Sequence, residues 1–464
     1  MRRLISLVLG VAVGLALAPS HAQAQTQAWD KLIAPGLTYR MEIDLTKPMV
    51  VHALRWTSGS GAIRARAESA KDTVLAPADV DKVRGRDPLT NAIRRTQAIA
   101  GINGDFFPMQ GSPLGCMLRD GELLALPYPD RSTFGWGPGT AQVSTLTFQG
   151  TAKLPSGAVT LKSLNREAGE NDLVLQTAFA GYSLSKSPGT HVIFAASGFL
   201  RPGVDATGTV RRIEQGKTSV KLGDGEWALT GTDAQITALN KLKEGDQVTV
   251  GFSLGGVDLL KIRNIVGGGP GLLRDGRPSL DVVREQFANS FASDRHPRTA
   301  IGFNREGDVW LVVVDGRSPT SRGASLGELT DVMIGLGCTD AMNLSGGGDT
   351  TLAVLGLVLN HPSDGGEERP LANAVLLFGD ASTPAAGDMV VRGTPTLVMG
   401  QPSTFTVVDQ NGETIPNGEI LWAAKGAAWI DQAGTLRPLK PGDVTVYASV
   451  RGKVLSVRVN VVDA

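Results

Sequence analysis

Apolar and polar positions alternate through Tyr39, Met41, Ile43 and Leu45, and again through Met49, Val51 and Ala53. A period of two marks half-buried strands, so the pattern predicts two of them over 39–56. A polar stretch over 77–97 is compatible with a helix. Ala98–Asn103 is an apolar strand that runs into Gly104-Asp105-Phe106-Phe107. Residues 150–262 read as a β-rich middle region, its short apolar runs broken by turns such as Gly223-Asp224-Gly225 and Gly245-Asp246. One short helical stretch is expected at 233–242, and the region reads as a structural insert or a rim around a cleft.

The segment from Ile262 to Phe378 carries the densest pattern. Thr299–Phe303 and Val309–Val314 predict two strands joined by a turn at Asn304–Gly307. Ser325 opens a helix with a Ser-x-x-Glu capping box closed by Glu328. Leu326, Leu329, Val332, Met333 and Leu336 form its apolar stripe, and Gly337 ends it. A further strand, Ala341–Leu344, leads straight into Ser345-Gly346-Gly347-Gly348-Asp349-Thr350-Thr351. A Pro-Ala-Ala-Gly linker follows over 382–389. Residues 390–464 show alternating strands at Thr404–Val408, Val444–Val450 and Leu455–Val461, with Trp422 and the Asp431–Thr435 turn suited to a small sandwich core.

Composition narrows the function classes. Arg2 and Arg3, an apolar run to Pro19 and Ala22-Gln23-Ala24 form a signal-peptide pattern over 1–24, so a periplasmic or extracellular location is expected. No later stretch approaches the ~18 uninterrupted apolar residues of a membrane span. Lys plus Arg and Asp plus Glu are equal at 45 each, which gives no global field toward nucleic acid or anionic lipid. The two cysteines, Cys116 and Cys338, leave a disulfide open. The histidines lack metal-ligand spacing, so no metal site is expected. No cofactor is called for either; the aspartates leave a divalent cation such as calcium open, without a loop signature for it.

Four strand-to-loop junctions set polar groups where a cleft would form: Asn103-Gly104-Asp105, Gly267-Gly268-Gly269-Pro270, Asp315-Gly316-Arg317 and Asn343 through Thr351. Glycine there lets backbone N–H groups approach an anion closely, and Arg298, Arg317 and Arg322 would add charge and paired hydrogen bonds. Each feature also has a plain structural reading. Gly346–Gly348 would serve as a tight turn, Asp105 and Asp315 as turn caps, and Arg298 as the partner of a surface carboxylate.

Taken together, these motifs resemble the phosphodiester glycosidase family. The resemblance rests on Ala100–Phe107 with Ser112-Pro113-Leu114-Gly115, on Gly268-Gly269-Pro270, and on His296–Gly302. Val314–Arg317, Ala341–Thr351 and Asn360 to Arg369 complete it, in order over roughly 40–380. It implies an α+β fold with a mixed-sheet core over 25–381, and hydrolysis of a sugar 1-phosphodiester. Asp105, Asp315 and Asp349 are then the catalytic candidates. Asn103, Gly104, Arg298, Thr299, Arg317, Arg322, Asn343, Ser345, Gly346, Gly347, Gly348 and Thr350 would bind substrate or phosphate. The family's last motif usually reads Asn-Leu-Asp-Gly-Gly-Gly-Ser; here Ser345 and Asp349 exchange carboxylate and hydroxyl across the glycines. Asp349 would therefore reach the site from the far side of the turn.

Residues 390–464 resemble a bacterial Ig-like domain of group 2, through Ile420-Leu421-Trp422, Gly434-Thr435-Leu436 and Pro441–Val446. That implies a small β-sandwich which adheres to a glycan or surface, or acts as a spacer. The expected partner of the whole chain is a carbohydrate or glycosyl-phosphodiester. The alternatives are a non-catalytic glycan-binding or adhesion protein, and a glycosidase acting on non-phosphorylated polysaccharide.

Overall fold

The computed structural model describes residues 26–196, 198–380 and 387–464. The expected signal peptide and most of the expected linker lie outside the described residues. The elements that build the site are, in chain order, β1 (Thr26–Ala34), β2 (Leu37–Asp44), β3 (Met49–Thr57), β4 (Arg64–Ser69) and β5 (Ala100–Asn103). They continue with β6 (Gly271–Arg274), β7 (Arg298–Phe303), β8 (Asp308–Val314), helix α1 (Leu326–Gly335) and β9 (Asp340–Asn343). The last are β10 (Leu352–Val354), β11 (Leu357–Val358), β12 (Asn373–Phe378) and β13 (Ile420–Gly426).

One sheet has the order β1-β2-β3-β8-β7-β9-β6, ending on Arg277–Pro278; a second has the order β11-β10-β5-β12-β4. Every neighbouring pair in these two sheets is antiparallel. The chain is mostly β. Among the described residues parallel strand pairs lie elsewhere, between Ser163–Leu164 and Leu173–Gln176 and between Thr396–Val398 and Lys453–Val462, with one isolated parallel bridge at Ala168 and Ser185.

Strand β8 shows why its sequence is continuously apolar rather than alternating. Val309, Leu311 and Val313 face the main core, while Trp310, Val312 and Val314 face a second core under α1. A strand buried on both faces gains from apolar side chains at every position. Helix α1 forms as its pattern predicts. Ser325 Oγ accepts from the Glu328 amide at 3.2 Å, and Glu328 Oε2 accepts from the Ser325 amide at 2.9 Å. Gly337, at φ 85°, returns its N–H to Ile334 O.

Two helix expectations are corrected. Over 77–97 only Leu89–Thr96 is helical. Pro88 sets the start, and the chain before it turns through Arg84 and Gly85 at positive φ. Over 233–242 the helix shrinks to a 3₁₀ turn and Ile236–Leu239. The middle region forms its own eight-stranded sheet, running from Gly157–Leu161 at one edge to Ser163–Leu164 at the other, over a separate core that includes Phe194, Trp227 and Val248. Cys116 and Cys338 are buried free thiols in different cores, which closes the disulfide question. Residues 387–464 build small sheets around Trp422, Val444 and Val446.

Candidate active site

The site forms where the ends of β5, β7, β8 and β9 meet. Asn103, at the end of β5, is fully buried and its amide is engaged at both ends: Nδ2 donates to Ser345 O at 2.7 Å, and Oδ1 accepts from Thr299 Oγ1 at 2.8 Å and the Thr351 amide at 3.1 Å. Asn343 plays the same part at the end of β9, donating to Gly269 O and Leu344 O at 2.8 Å each. Its Oδ1 is buried without a hydrogen-bond partner among the described residues. The Gly104 carbonyl accepts from the Ser345 amide. Three of the four junctions read from the sequence are thus joined by buried side-chain amides.

The glycine loop is shaped by close approaches. Gly347 sits at φ 66°, its amide bonded to Pro297 O at 2.8 Å. A Cβ on Gly346 would stand 2.8 Å from that carbonyl, and one on Gly348 would stand 2.1 Å from Arg369 Nη2. Asp349 completes the loop. Ser345 Oγ donates to its Oδ2 at 2.7 Å and Arg369 Nη1 to its Oδ1 at 3.1 Å, while Arg369 also grips Asp364. Carboxylate and hydroxyl, exchanged in the motif, therefore meet in one place across the turn. Burial raises the Asp349 carboxyl above its ordinary value, opposed by Ser345 and Arg369.

Asp315, just beyond β8, occupies the fourth junction. Its Oδ1 accepts from Asn360 Nδ2 at 3.1 Å and from the His361 amide at 3.0 Å; its Oδ2 lies 3.4 Å from His52 Nε2. Asn360 links the two halves of the site, because the same Nδ2 donates to Thr350 O at 3.1 Å. Its Oδ1 accepts from the Leu352 amide. Behind His52, Nδ1 meets the Tyr39 hydroxyl at 2.7 Å. Tyr39 is fully buried, which pushes its hydroxyl well above the usual range, and the charge of Asp315 adds to this. The His52 ring is thus bracketed by the Tyr39 hydroxyl at Nδ1 and by Asp315 at Nε2.

Arg317 stands exposed at the mouth, at φ 59°, with Nη1 on Ser363 Oγ at 3.2 Å and no carboxylate partner among the described residues. A Cβ on Gly347 would lie 3.2 Å from its Nη2, so cation and glycine loop adjoin.

Other candidates point away. Asp105 uses Oδ2 on the Gly115 amide at 2.6 Å and Oδ1 on the Phe106 amide at 2.7 Å, so its carboxylate closes the 106–115 loop. Burial pushes its carboxyl up to about 6, against those two amides. Arg298 is buried beneath the site, where Nε bonds Ala324 O and Nη2 bonds Phe291 O and Asp294 O. Arg322 is exposed, and its backbone rather than its guanidinium is engaged, on Pro48 O.

Tyr39, His52, Asn360, His361 and Arg369 join the site although none was a site candidate in the sequence; Asn360 and Arg369 had only bounded the last segment of the resemblance. The signal for His52 was its parity, since it shares the inward face of β3 with Val50 and Leu54. Among the described residues no cluster of three His, Cys, Asp or Glu is arranged to hold a metal. A cavity of about 520 Å³ lies on the opposite face of the sheet, lined by Met49, Val51, Ala53 and Trp310.

Residues 195–378, which include β7 through β12, match the family described as phosphodiester glycosidase. Over those residues this chain is similar to a phosphodiester glycosidase domain. The matched range of that domain contains Asp315, the glycine loop, Asn360 and Arg369, whereas Asn103 and Asp105 precede it. A prophage-derived uncharacterized protein of Bacillus subtilis is 31% identical over 121 residues, which are 26% of this chain and 18% of that one. The N-acetylglucosamine-1-phosphodiester alpha-N-acetylglucosaminidase of Bos taurus is 36% identical over 76 residues, 16% of this chain and 14% of the enzyme. The matches thus span less than a fifth of either curated relative. A solved structure of a hypothetical protein from Synechocystis shares the fold at TM-score 0.61 and 23% identity, over 75% of this chain and 62% of that one. A protein from Burkholderia pseudomallei does so at 0.60 and 23%, over 71% and 74%.

Proposed function

We propose that the chain is an exported hydrolase that cleaves the glycosidic bond of a sugar 1-phosphodiester, of N-acetylglucosamine type, in envelope or extracellular glycans. The observation that carries this reading is the Asn360 amide, which holds the Asp315 carboxylate beside the Thr350 carbonyl and so beside the glycine loop. One carboxylate is thereby fixed beside the glycine loop, which the exposed Arg317 adjoins. The family match and the bovine relative's activity support the choice of bond.

Cleavage next to phosphate requires charge to be stabilised on the departing phosphate and on an oxocarbenium-like sugar. In this reading Arg317 and the Gly346–Gly348 loop take the phosphate. Asp315 serves as base or nucleophile at the anomeric carbon. Asp349, raised by burial and steadied by Ser345 and Arg369, receives a sugar hydroxyl or shares a proton with it. Phosphate leaves readily, so a strong general acid is less necessary than in ordinary glycosidases. We read the C-terminal unit as an Ig-like sandwich.

The test is sugar release from an α-N-acetylglucosaminyl phosphodiester by the purified chain, beside Asp315→Asn and Asp349→Asn. Release by the wild type and its loss in Asp315→Asn is the expected result. No release from a panel of sugar 1-phosphodiesters, with turnover of the matching phosphate-free glycoside, would overturn the reading.

A further inference from the structure

Strand β13 is buried on both faces. Ile420 and Trp422 enter the core of the C-terminal unit, whereas Leu421 and Ala423, at 5% and 2% exposure, join Trp429 in the main core beside Tyr39, Leu357 and Leu359. A strand shared by two cores belongs to a permanent junction, because separation would return its second apolar face to water. Polar contacts border that seam. Lys31 Nζ donates to Asn417 O, Lys425 pairs with Glu367 at 2.9 Å, and His361 Nε2 lies 3.3 Å from Gly426 O.

Two lines run from this seam to one carboxylate. His361 braces its ring on Gly426 O and donates its backbone N–H to Asp315 at 3.0 Å. The Tyr39 hydroxyl neighbours Gln432 and bonds His52, whose Nε2 faces Asp315. Gln432 is itself locked to the Trp422 backbone, accepting from its amide at 3.1 Å and donating to its carbonyl at 2.8 Å.

We propose that the C-terminal unit is a positioning element of the active site: docked through Leu421, Ala423 and Trp429, it holds Tyr39–His52 and the 360–369 loop so that Asp315 keeps its place. This rests on the reading of Asp315 as the reacting carboxylate. It assigns the unit a role that a spacer or a glycan anchor would not have. Tyr39, His52 and His361 are positioning residues, acting through Asp315 rather than on substrate.

The test uses the full chain. Ala423→Glu sets a carboxylate in the seam while leaving Trp422 in its own core, and Ala423→Ser is the conservative control. Hydrogen exchange over 360–369 and sugar release are read together. Ala423→Glu is expected to raise exchange in that loop by at least about 10-fold and to lower kcat by about 100-fold with little change in KM, the scale of a 1 Å misplacement. Ala423→Ser should restore both. Tyr39→Phe and His361→Ala, which leave the seam packed, should each lower kcat and shift its pH profile. Unchanged exchange in Ala423→Glu, or full kcat in both Tyr39→Phe and His361→Ala, would overturn the inference. If the wild type releases no sugar, the chemical reading fails, and loop exchange alone decides whether the unit holds the site.

Discussion

Replacing Asn360 by aspartate changes one atom type at the center of the site and leaves its volume almost untouched. The acceptor contact from the Leu352 amide survives, but the donor to Asp315 and Thr350 becomes an oxygen. Two carboxylates would then face each other at the 3.1 Å now spanned by a hydrogen bond, with Asn360 and Asp315 at 4% and 7% exposure. At an effective dielectric of about 20, two full charges at that distance repel by roughly 5 kcal/mol. At 1.36 kcal/mol per pKa unit, this would lift the second proton loss of the pair by up to about 4 units. A carboxyl raised in the folded state contributes stability that is present at low pH and is lost as pH rises through the raised value. Urea unfolding of wild type, Asn360→Asp and Asn360→Leu at pH 5 and pH 8 therefore distinguishes charge from lost hydrogen bonds. The gap between wild type and Asn360→Asp should widen by at least about 1.4 kcal/mol from pH 5 to pH 8, one unit's worth, whereas the Leu gap should stay constant. An Asn360→Asp gap that is the same at both pH values would refute the claim that Asn360 and Asp315 are in contact.

Gly348→Ala brings a Cβ within 2.1 Å of Arg369 Nη2 and 2.6 Å of Asp364 Oδ2, so the guanidinium must leave Asp349. A loss of about 1–3 kcal/mol in urea unfolding and at least a 10-fold drop in sugar release are expected. Asp105→Asn turns one acceptor of two backbone amides into a donor, and thermal unfolding should show a loss of about 1.5–3 kcal/mol. Because burial raises the Asp105 carboxyl from 3.8 to about 6, the wild type's margin over this variant should be largest below pH 4 and narrow as pH rises through 6. Cys116 and Cys338 are free and buried, and burial pushes the Cys338 thiol up to about 12. A reducing agent should leave the melting temperature unchanged, and a thiol reagent should react at both cysteines only after unfolding in urea.

Local physics was legible along the chain. The strands at 37–57, the hairpin around Asn304–Gly307 and the capped helix from Ser325 follow from side-chain parity, turn residues and one reciprocal cap, all of which act over a few residues. The polar stretch before Leu89 misled because charge alone does not make a helix, and Gly85 with Pro88 left only eight residues to form one. The four junctions were also visible, since glycine beside a polar residue at a strand end is a short-range pattern. Which side chains turn inward there was not. Asp105 and Arg298 look the same as Asp315 and Arg317 in sequence, yet the first two spend their polar atoms on backbone 106–115 and on Ala324, Phe291 and Asp294. Asn360 reaches Asp315 across 45 residues, and His52 reaches it across 263. A hydrogen bond is decided by positions within about 3 Å, and such positions are set only when antiparallel pairing fixes the register of distant strands. For the same reason Trp422 was legible as a core residue of the C-terminal unit, but only the folded chain decided that its neighbours Leu421 and Ala423 join the main core, the one that also holds Tyr39.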